Sequence, residues 1–314
     1  MNWSTVKNLL IAILIAANLF LLYQILMQDR SRSYIDADEV ADAISLLATR
    51  GLTVPPEGVP LAKFDSPVYE SIYSDKYYYE VAEALSGSKS TPAQMLPDGS
   101  FSIAMENGDL VQLDSEFDFS IEKAGISDSS AYTDITAEAF VLLSDSGEEI
   151  PSSRMKALKR KATDFLTCRA SDDSSLSAEI IDGFYDSASG HSLLLARQSI
   201  SGCRIYSHYA VLVFDDEELL CASGRWYFAP IDASYTAELY DQVNILFTDL
   251  KTLRADDDEA ETLPAVTAMS ACYAVYWNAD KTALYFIPAW QIEHIDSSVI
   301  VYNAANSTVY SRNE

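Results

Sequence analysis

His191 to Phe228 reads HSLLLARQSISGCRIYSHYAVLVFDDEELLCASGRWYF. Three apolar runs, HSLLLARQSI, RIYSHYAVLVF and ELLCASGRWYF, are separated by Ser201-Gly202 and Asp215-Asp216, residue pairs that favour turns. The spacing predicts strands joined by tight turns, with the strand-rich pattern opening at Ile180. Downstream, Ser234 is expected to cap a helix carrying Leu239, Val243, Leu246, Leu250 and Leu253 on one face. The acidic loop ADDDEAET (Ala255 to Thr262) follows it. Two or three further strands are expected over Cys272 to Trp277, Ala283 to Ile287 with Ile292, and Val299 to Tyr302.

Upstream, Phe101, Ile103 and Met105 alternate, as do Val111 and Leu113, around Asn107-Gly108, a strong short-range hairpin signal. Ile135 to Leu143 and Ser152 to Leu166 read as helices. The second carries Arg154, Lys156, Lys159, Arg160 and Lys161 and is expected to pair with the protein's own acids. Asp36 to Arg50 reads as another helix. Asp36 and Glu39 start it as a capping box, Val40, Ile44 and Leu47 recur at helical spacing, and Gly51 closes it. The prolines of LTVPPEGVP (Leu52 to Pro60) then stop any helix. Five tyrosines between Tyr69 and Leu85 are expected to line a core and lead into a short helix. Strand blocks with helices set between them indicate an α+β class with mainly antiparallel pairing. The length suggests two lobes, 28–147 and 148–314.

The 314 residues carry a net charge of −26, and Lys7 is the sole charge in the first 27. The rest therefore holds 20 basic and 47 acidic side chains, a balance of −27. Such a surface is a poor partner for nucleic acid, which needs a basic patch. It suits a solvated exterior domain that does not adhere to anionic lipid heads. Hydrophobic residues make up 49% of the chain, enough for a substantial core.

From Leu9 to Met27 no residue is charged, and the run LLIAILIAANLFLLYQILM would reach roughly 28 Å as a helix, close to one bilayer core. Bulky residues fill Leu19 to Met27 and no Ala-x-Ala site follows, so an uncleaved anchor is expected over 9–27 behind a short N-terminus, 1–8. The flanking charges leave its orientation nearly balanced. Ala12 and Ala16 form a small-xxx-small pair, and Asn18 offers a mid-span amide. Together with Leu22 they are the residues expected to contact a partner helix.

Chemistry is sparse. No G-x-S-x-G, H-E-x-x-H or P-loop is present. The pairs His191-Ser192 and Ser207-His208 put neighbours on opposite strand faces. The third histidine, His294, stands alone. No histidine lies at metal-ligand spacing from Cys168, Cys203, Cys221 or Cys272, and there is no C-x-x-C. These cysteines are expected to be buried, reduced or incidental thiols. With no nucleophile–base–orienter set visible, the expectation is a non-enzymatic protein without cofactor or metal.

Asn2-Trp3-Ser4, Lys7, Asn18 and Tyr23-Gln24 bracket the apolar run in a pattern that resembles the start of the YycI family. These are membrane-anchored Firmicute regulators of the essential cell-wall two-component system. Arg50-Gly51 before the proline-rich stretch is similar too. Ile200 to Trp226 and Ile287 to Ser311 resemble the sheet-and-helix modules shared by YycI and YycH. One departure is Asn306-Ser307, where the family often has glycine after Asn-Ala. The resemblance implies a cytoplasmic N-terminus, one transmembrane helix at the cell membrane and an extracellular α+β body. It implies a non-enzymatic regulator that contacts a WalK (YycG)-like sensor histidine kinase and a YycH-like protein. The alternative reading is an extracytoplasmic binding or protease-inhibitor-like module unrelated to a kinase.

Overall fold

A computed structural model describes Leu14, Ile15, Ala17, Asn18 and Phe20, and then residues 34–64, 66–72, 76–125, 135–168, 175–256 and 263–313. The elements begin with α1 (Ala37–Thr49), β1 (Val68–Ile72), α2 (Tyr77–Ser86), β2 (Gln94–Met95), β3 (Phe101–Ala104), β4 (Leu110–Leu113) and β5 (Asp118–Glu122). Next come α3 (Ala137–Ser144), β6 (Glu148–Glu149), α4 (Ser152–Leu166), β7 (Leu176–Asp186), β8 (His191–Ile200), β9 (Cys203–Asp215) and β10 (Glu218–Arg225). The last are β11 (Asp232–Tyr235), α5 (Gln242–Asp256), β12 (Val266–Trp277), β13 (Ala283–His294), β14 (Val299–Asn303) and β15 (Val309–Asn313). The class is α+β with mostly antiparallel pairing, as expected.

Contacts divide the chain into two units. One comprises residues up to Ser66, Ala237–Ala271 and Pro288–Glu314; the other comprises Pro67–Thr236 and Cys272–Ile287. Both are assembled from interleaved segments, so neither coincides with a consecutive lobe at 28–147 or 148–314.

The unit built on Pro67–Thr236 contains the three strands read from His191 to Phe228. β8 pairs antiparallel with β9, and β9 with β10. β9 bends at Ser207, which has φ +59°. Beyond the bend Tyr209 to Asp215 lie against β10, while Ile205 before it stands opposite Tyr273 of β12 in a parallel pairing. β7 extends the sheet beyond β8, and β5, β4, β3 and β2 follow in turn beyond β10. β10 stops at Arg225, so Trp226, Tyr227 and Phe228 leave the sheet and are buried. Of the tyrosine cluster, Tyr69 and Tyr77 are core residues. Tyr77 stacks on Tyr227 at 5.8 Å, and Tyr73 lies outside the described residues.

The hairpin around Asn107-Gly108 forms as expected, but with a three-residue loop closed by a Met105 N–H to Asp109 C=O bond of 2.9 Å. Gly108 has φ +90°, the left-handed residue such a loop requires. Asp109 locks the loop from beneath, accepting from Lys123 Nζ and Ser86 Oγ at 2.8 Å and from Asn107 Nδ2 and the Ala124 N–H at 3.0 Å. Burial works to raise its pKa, but these donors outweigh it and hold the carboxyl below its usual value.

The other unit packs α1 on α5. Asp36 caps α1, accepting from the Asp38 N–H at 3.0 Å. Val40 and Leu47 of α1, with Leu52 and Val54 after it, meet Ile245, Leu246, Leu250 and Leu253 of α5 and Trp290, Ile300 and Tyr302 of the terminal strands. Leu47 and Leu52 are fully buried, and each such side chain contributes about 1.5–3 kcal/mol.

Ser234 does not cap the helix: it lies in β11, and α5 begins eight positions later, at Gln242. The capping acceptor is Asp241, whose Oδ1 takes the Asn244 N–H at 2.9 Å. The terminal sheet also exceeds expectation. β13 is one continuous strand through Pro288, and β15 adds a partner to β14. Pro288 is tolerated because its carbonyl still accepts from the Ala304 N–H at 2.9 Å. Most of the acidic loop at 257–262 lies outside the described residues.

Among the described residues no helix is long and apolar enough to cross a membrane. Of the expected anchor, Leu14, Ile15, Ala17, Asn18 and Phe20 are described; all five are helical and exposed.

Replacing Asp109 with alanine strands Lys123 and three other donors. It should lower unfolding stability by about 3 kcal/mol, read as a reduced urea midpoint at unchanged m-value.

Candidate functional site

The residues expected to meet a partner helix are described only in part. Asn18 is exposed on its helix, while Ala12, Ala16 and Leu22 lie outside the described residues. Around Asn18, Leu14, Ile15 and Phe20 are 64%, 55% and 60% exposed.

The body holds its ionisable groups tightly. On α4, Arg154 donates to the Asp216 carbonyl at 3.2 Å and stands over the Tyr185 ring. Lys161 Nζ pairs with Glu217 at 2.9 Å. Two of the five basic residues of α4, Arg154 and Lys161, thus meet the β9–β10 turn, the expectation being met for these two, while Lys156, Lys159 and Arg160 are exposed. All four cysteines are free thiols; Cys221 and Cys272 are buried and Cys168 is exposed. Burial pushes Cys203 up to about 11 and Cys221 and Cys272 to about 12, so these three stay protonated near neutrality.

Two buried histidine networks were not legible in the spacing. His208 Nδ1 stands 2.9 Å from Gln198 Oε1, and burial pulls its pKa down to about 3, so it is neutral. Gln198 also binds Tyr227 on both sides, accepting its N–H at 3.0 Å and donating to its C=O at 2.6 Å. In the other unit, His294 Nε2 lies 3.0 Å from Asp249 Oδ2, with both side chains fully buried. Tyr302 donates to Asp249 Oδ1 at 2.7 Å, and Ser298 Oγ stands 3.3 Å from His294 Nδ1. The only sequence signal was the four-residue spacing of His294 and Ser298 across the β13–β14 turn.

The serine–histidine–aspartate order has the partners of a nucleophilic set but not its proton arrangement. Ser298 gives its hydroxyl proton to Asp296 Oδ1 at 2.7 Å. Both imidazole nitrogens then donate, one to Ser298 and one to Asp249. Burial works to lower the His294 pKa, but the hydrogen bond and charge of Asp249 outweigh it and hold it above the ordinary histidine value. In this arrangement Ser298 gives its proton to Asp296, and His294 does not take it.

Two clefts open on the larger unit, each of about 350 Å³. In the first, Glu70 already accepts from Tyr285 and Ser234. The second lies on the β4–β5–β10 surface, between Asp98, Asp114 and Tyr209. Its floor includes Ser223, 5% exposed, whose Oγ has no hydrogen-bond partner. Asp114 sits beside it with its pKa raised by burial and by the neighbouring Asp118 and Glu116. Among the described residues no group of histidine, cysteine, aspartate and glutamate is arranged to hold a metal ion.

No protein-family model matches the chain, and no curated protein matches it. Among solved structures it is similar to an uncharacterized protein from Eubacterium rectale, at 9% identity and a TM-score of 0.45. That match covers 83% of this chain and 89% of the other.

The raised His294 pKa gives a signed pH dependence. The stabilisation is complete below the unfolded histidine value of about 6.5 and is lost as pH rises through the higher folded value. Comparing unfolding midpoints of the native chain and His294→Gln from pH 5 to 9 should show the native advantage shrinking over the alkaline half.

Proposed function

We propose that this chain is a non-enzymatic, membrane-anchored regulator of a sensor histidine kinase. Its apolar N-terminal helix packs against the kinase's transmembrane helices at the cell membrane. Its acidic body lies outside the cell and associates with a YycH-like partner. The observation that carries the reading is the uncharged run from Leu9 to Met27, whose described residues Leu14, Ile15 and Phe20 are helical and uncovered. The opening Asn2-Trp3-Ser4 with Asn18 and Tyr23-Gln24, similar to the YycI family, points from an anchor to a kinase. The body supports this reading through its charge, which disfavours lipid heads and nucleic acid. His208 and His294, and Arg154 and Lys161 of α4, are engaged in internal bonds. Regulation then follows from differential binding: the chain shifts the kinase by as much as it prefers one signalling state, and about 1.4 kcal/mol of preference gives a tenfold shift.

The uncommitted cleft beside Ser223 favours a second reading, an exterior binding module.

Asn18→Leu, and replacement of residues 9–27 by an unrelated membrane helix, should each change the autophosphorylation of the co-expressed kinase several-fold at equal expression. Unchanged kinase output from both variants would sink the helix-packing reading.

A further inference from the structure

The sheet face that carries Ser223 is polar along one cross-strand row. Gln94 of β2 stands opposite Ser102, Ser102 opposite Gln112, Gln112 opposite Ser120, and Ser120 opposite Ser223. Residues opposite one another in antiparallel strands share a face, so these amides and hydroxyls lie in line. The adjacent row, Ile103, Val111, Ile121 and Ala222, is on the other face and is fully buried or nearly so. The interior therefore takes the apolar side of this sheet. On the polar side, α3 shields one end: Phe140 packs with Val211, Val213 and Cys221, and Tyr209 leans on that cluster. The cleft of about 350 Å³ occupies the ground between α3 and the β4–β5 turn.

Two observations set this cleft apart from a solvated acidic rim. The first is Ser223, a buried hydroxyl in its lining that bonds to nothing. Leaving such a group unmade costs free energy, and a buried orphan in a cleft is an open position for a ligand. The second is close packing of the floor. Gly224 has φ +144°, and a Cβ there would lie 2.2 Å from the Tyr209 carbonyl oxygen. Only glycine lets β10 approach β9 this closely beside the orphan hydroxyl.

The lining specifies the ligand's chemistry. Asp98 anchors its turn through Oδ1, which accepts from the Ser100 N–H and hydroxyl. Asp114 does the same through Oδ1 for Glu116 and Asp118. Each carboxylate thus has its second oxygen for an incoming donor. Asp118 is taken by Arg225, with bonds of 3.0 and 2.8 Å. Two carboxylates exclude an anionic ligand by repulsion and desolvation. A bare polyamine would satisfy them but would offer no acceptor to Gln112, Ser120 or Ser223, each of which can donate. A ligand with closely spaced hydroxyls donates and accepts at once, and its apolar ring face has the Tyr209 side to rest on. The volume is at the small end of the range for small-molecule sites.

We propose that this cleft binds a neutral saccharide, with Ser223 and Gln112 bonding its hydroxyls and Asp98 and Asp114 accepting from them. The site stands apart from kinase regulation. A chain that binds saccharide but leaves the kinase indifferent to Asn18 keeps this site and loses that function.

The test uses the full chain in a zwitterionic, non-glycosidic detergent, titrated with maltotriose, cellotriose and chitotriose by calorimetry and saturation-transfer NMR. At least one should bind with a Kd of about 1 mM or tighter. Ser223→Ala and Gln112→Ala should each weaken it about five-fold or more. Ser223→Ala should unfold at the same or a higher temperature than the native chain, since it removes an unsatisfied hydroxyl rather than a bond. Absence of binding by all three sugars would overturn the proposal, as would full affinity in both variants. Spermidine displacing a bound sugar at equal concentration would assign the cleft to a cation instead.

Discussion

The larger unit depends on the side chain of Gln198. β10 ends at Arg225, yet the next three residues are buried, and a buried backbone that leaves its ladder must find other partners. The Trp226 N–H goes to the Phe117 carbonyl at 2.9 Å and the Phe228 N–H to the Tyr77 hydroxyl at 3.4 Å, and Gln198 serves Tyr227 between them from β8. Its amide meets both the N–H and the C=O of Tyr227, as a neighbouring strand would, while its oxygen also takes His208. Tyr227, so held, stacks on Tyr77, meets Phe117 and Phe286 edge-on, and donates its hydroxyl to Ser71. One amide thereby ties the three-stranded centre to β1, β13 and α2. His208, which burial keeps neutral, gives its remaining bond to the same amide oxygen.

The two histidine networks use the same residue type to opposite electrostatic ends. His208 faces an amide and is held uncharged by burial. His294 faces a carboxylate, which raises its pKa against the pull of burial. Both rings are buried, each inside a single unit. Arg154 and Lys161 of α4 are likewise spent on the β9–β10 turn. Among the described residues, the cleft beside Ser223 holds an unpaired buried hydroxyl, and the N-terminal helical residues hold exposed apolar side chains. A fold of this class hosts many activities, so function is argued from those two places rather than from the architecture.

Much of the fold was legible because its signals are local. The three runs around His191 to Phe228 carry turn pairs between them, Asp36 is a side-chain cap, and Asn107-Gly108 marks a loop that needs a left-handed residue. What was missed is non-local. Ser234 has the chemistry of a cap, but pairing with β1 claimed it for an edge strand and left capping to Asp241. The strand expected over Ala283 to Ile287 runs on through Pro288, whose carbonyl is taken by the distant Ala304 N–H. The cleft is invisible in one dimension. Gln94, Ser102, Gln112, Ser120 and Ser223 form a row only after five strands take register, and nothing in the order of residues distinguishes Ser223 from other serines. The His294–Asp249–Tyr302 network joins a helix to two strands far away in the chain.

The interleaving of the two units has a consequence for biosynthesis. The first segment of the smaller unit, with Leu47, Leu52 and Val54, leaves the ribosome early, but Trp290, Ile300 and Tyr302, which complete its core, are translated near the end. The greasy side of α1 must therefore wait, uncovered, while Pro67–Thr236 is synthesised and its sheet closes in between. Chaperones have their longest window on this nascent segment, and a ribosome that stalls before β14 would release a polypeptide with one finished body and one that has no inside.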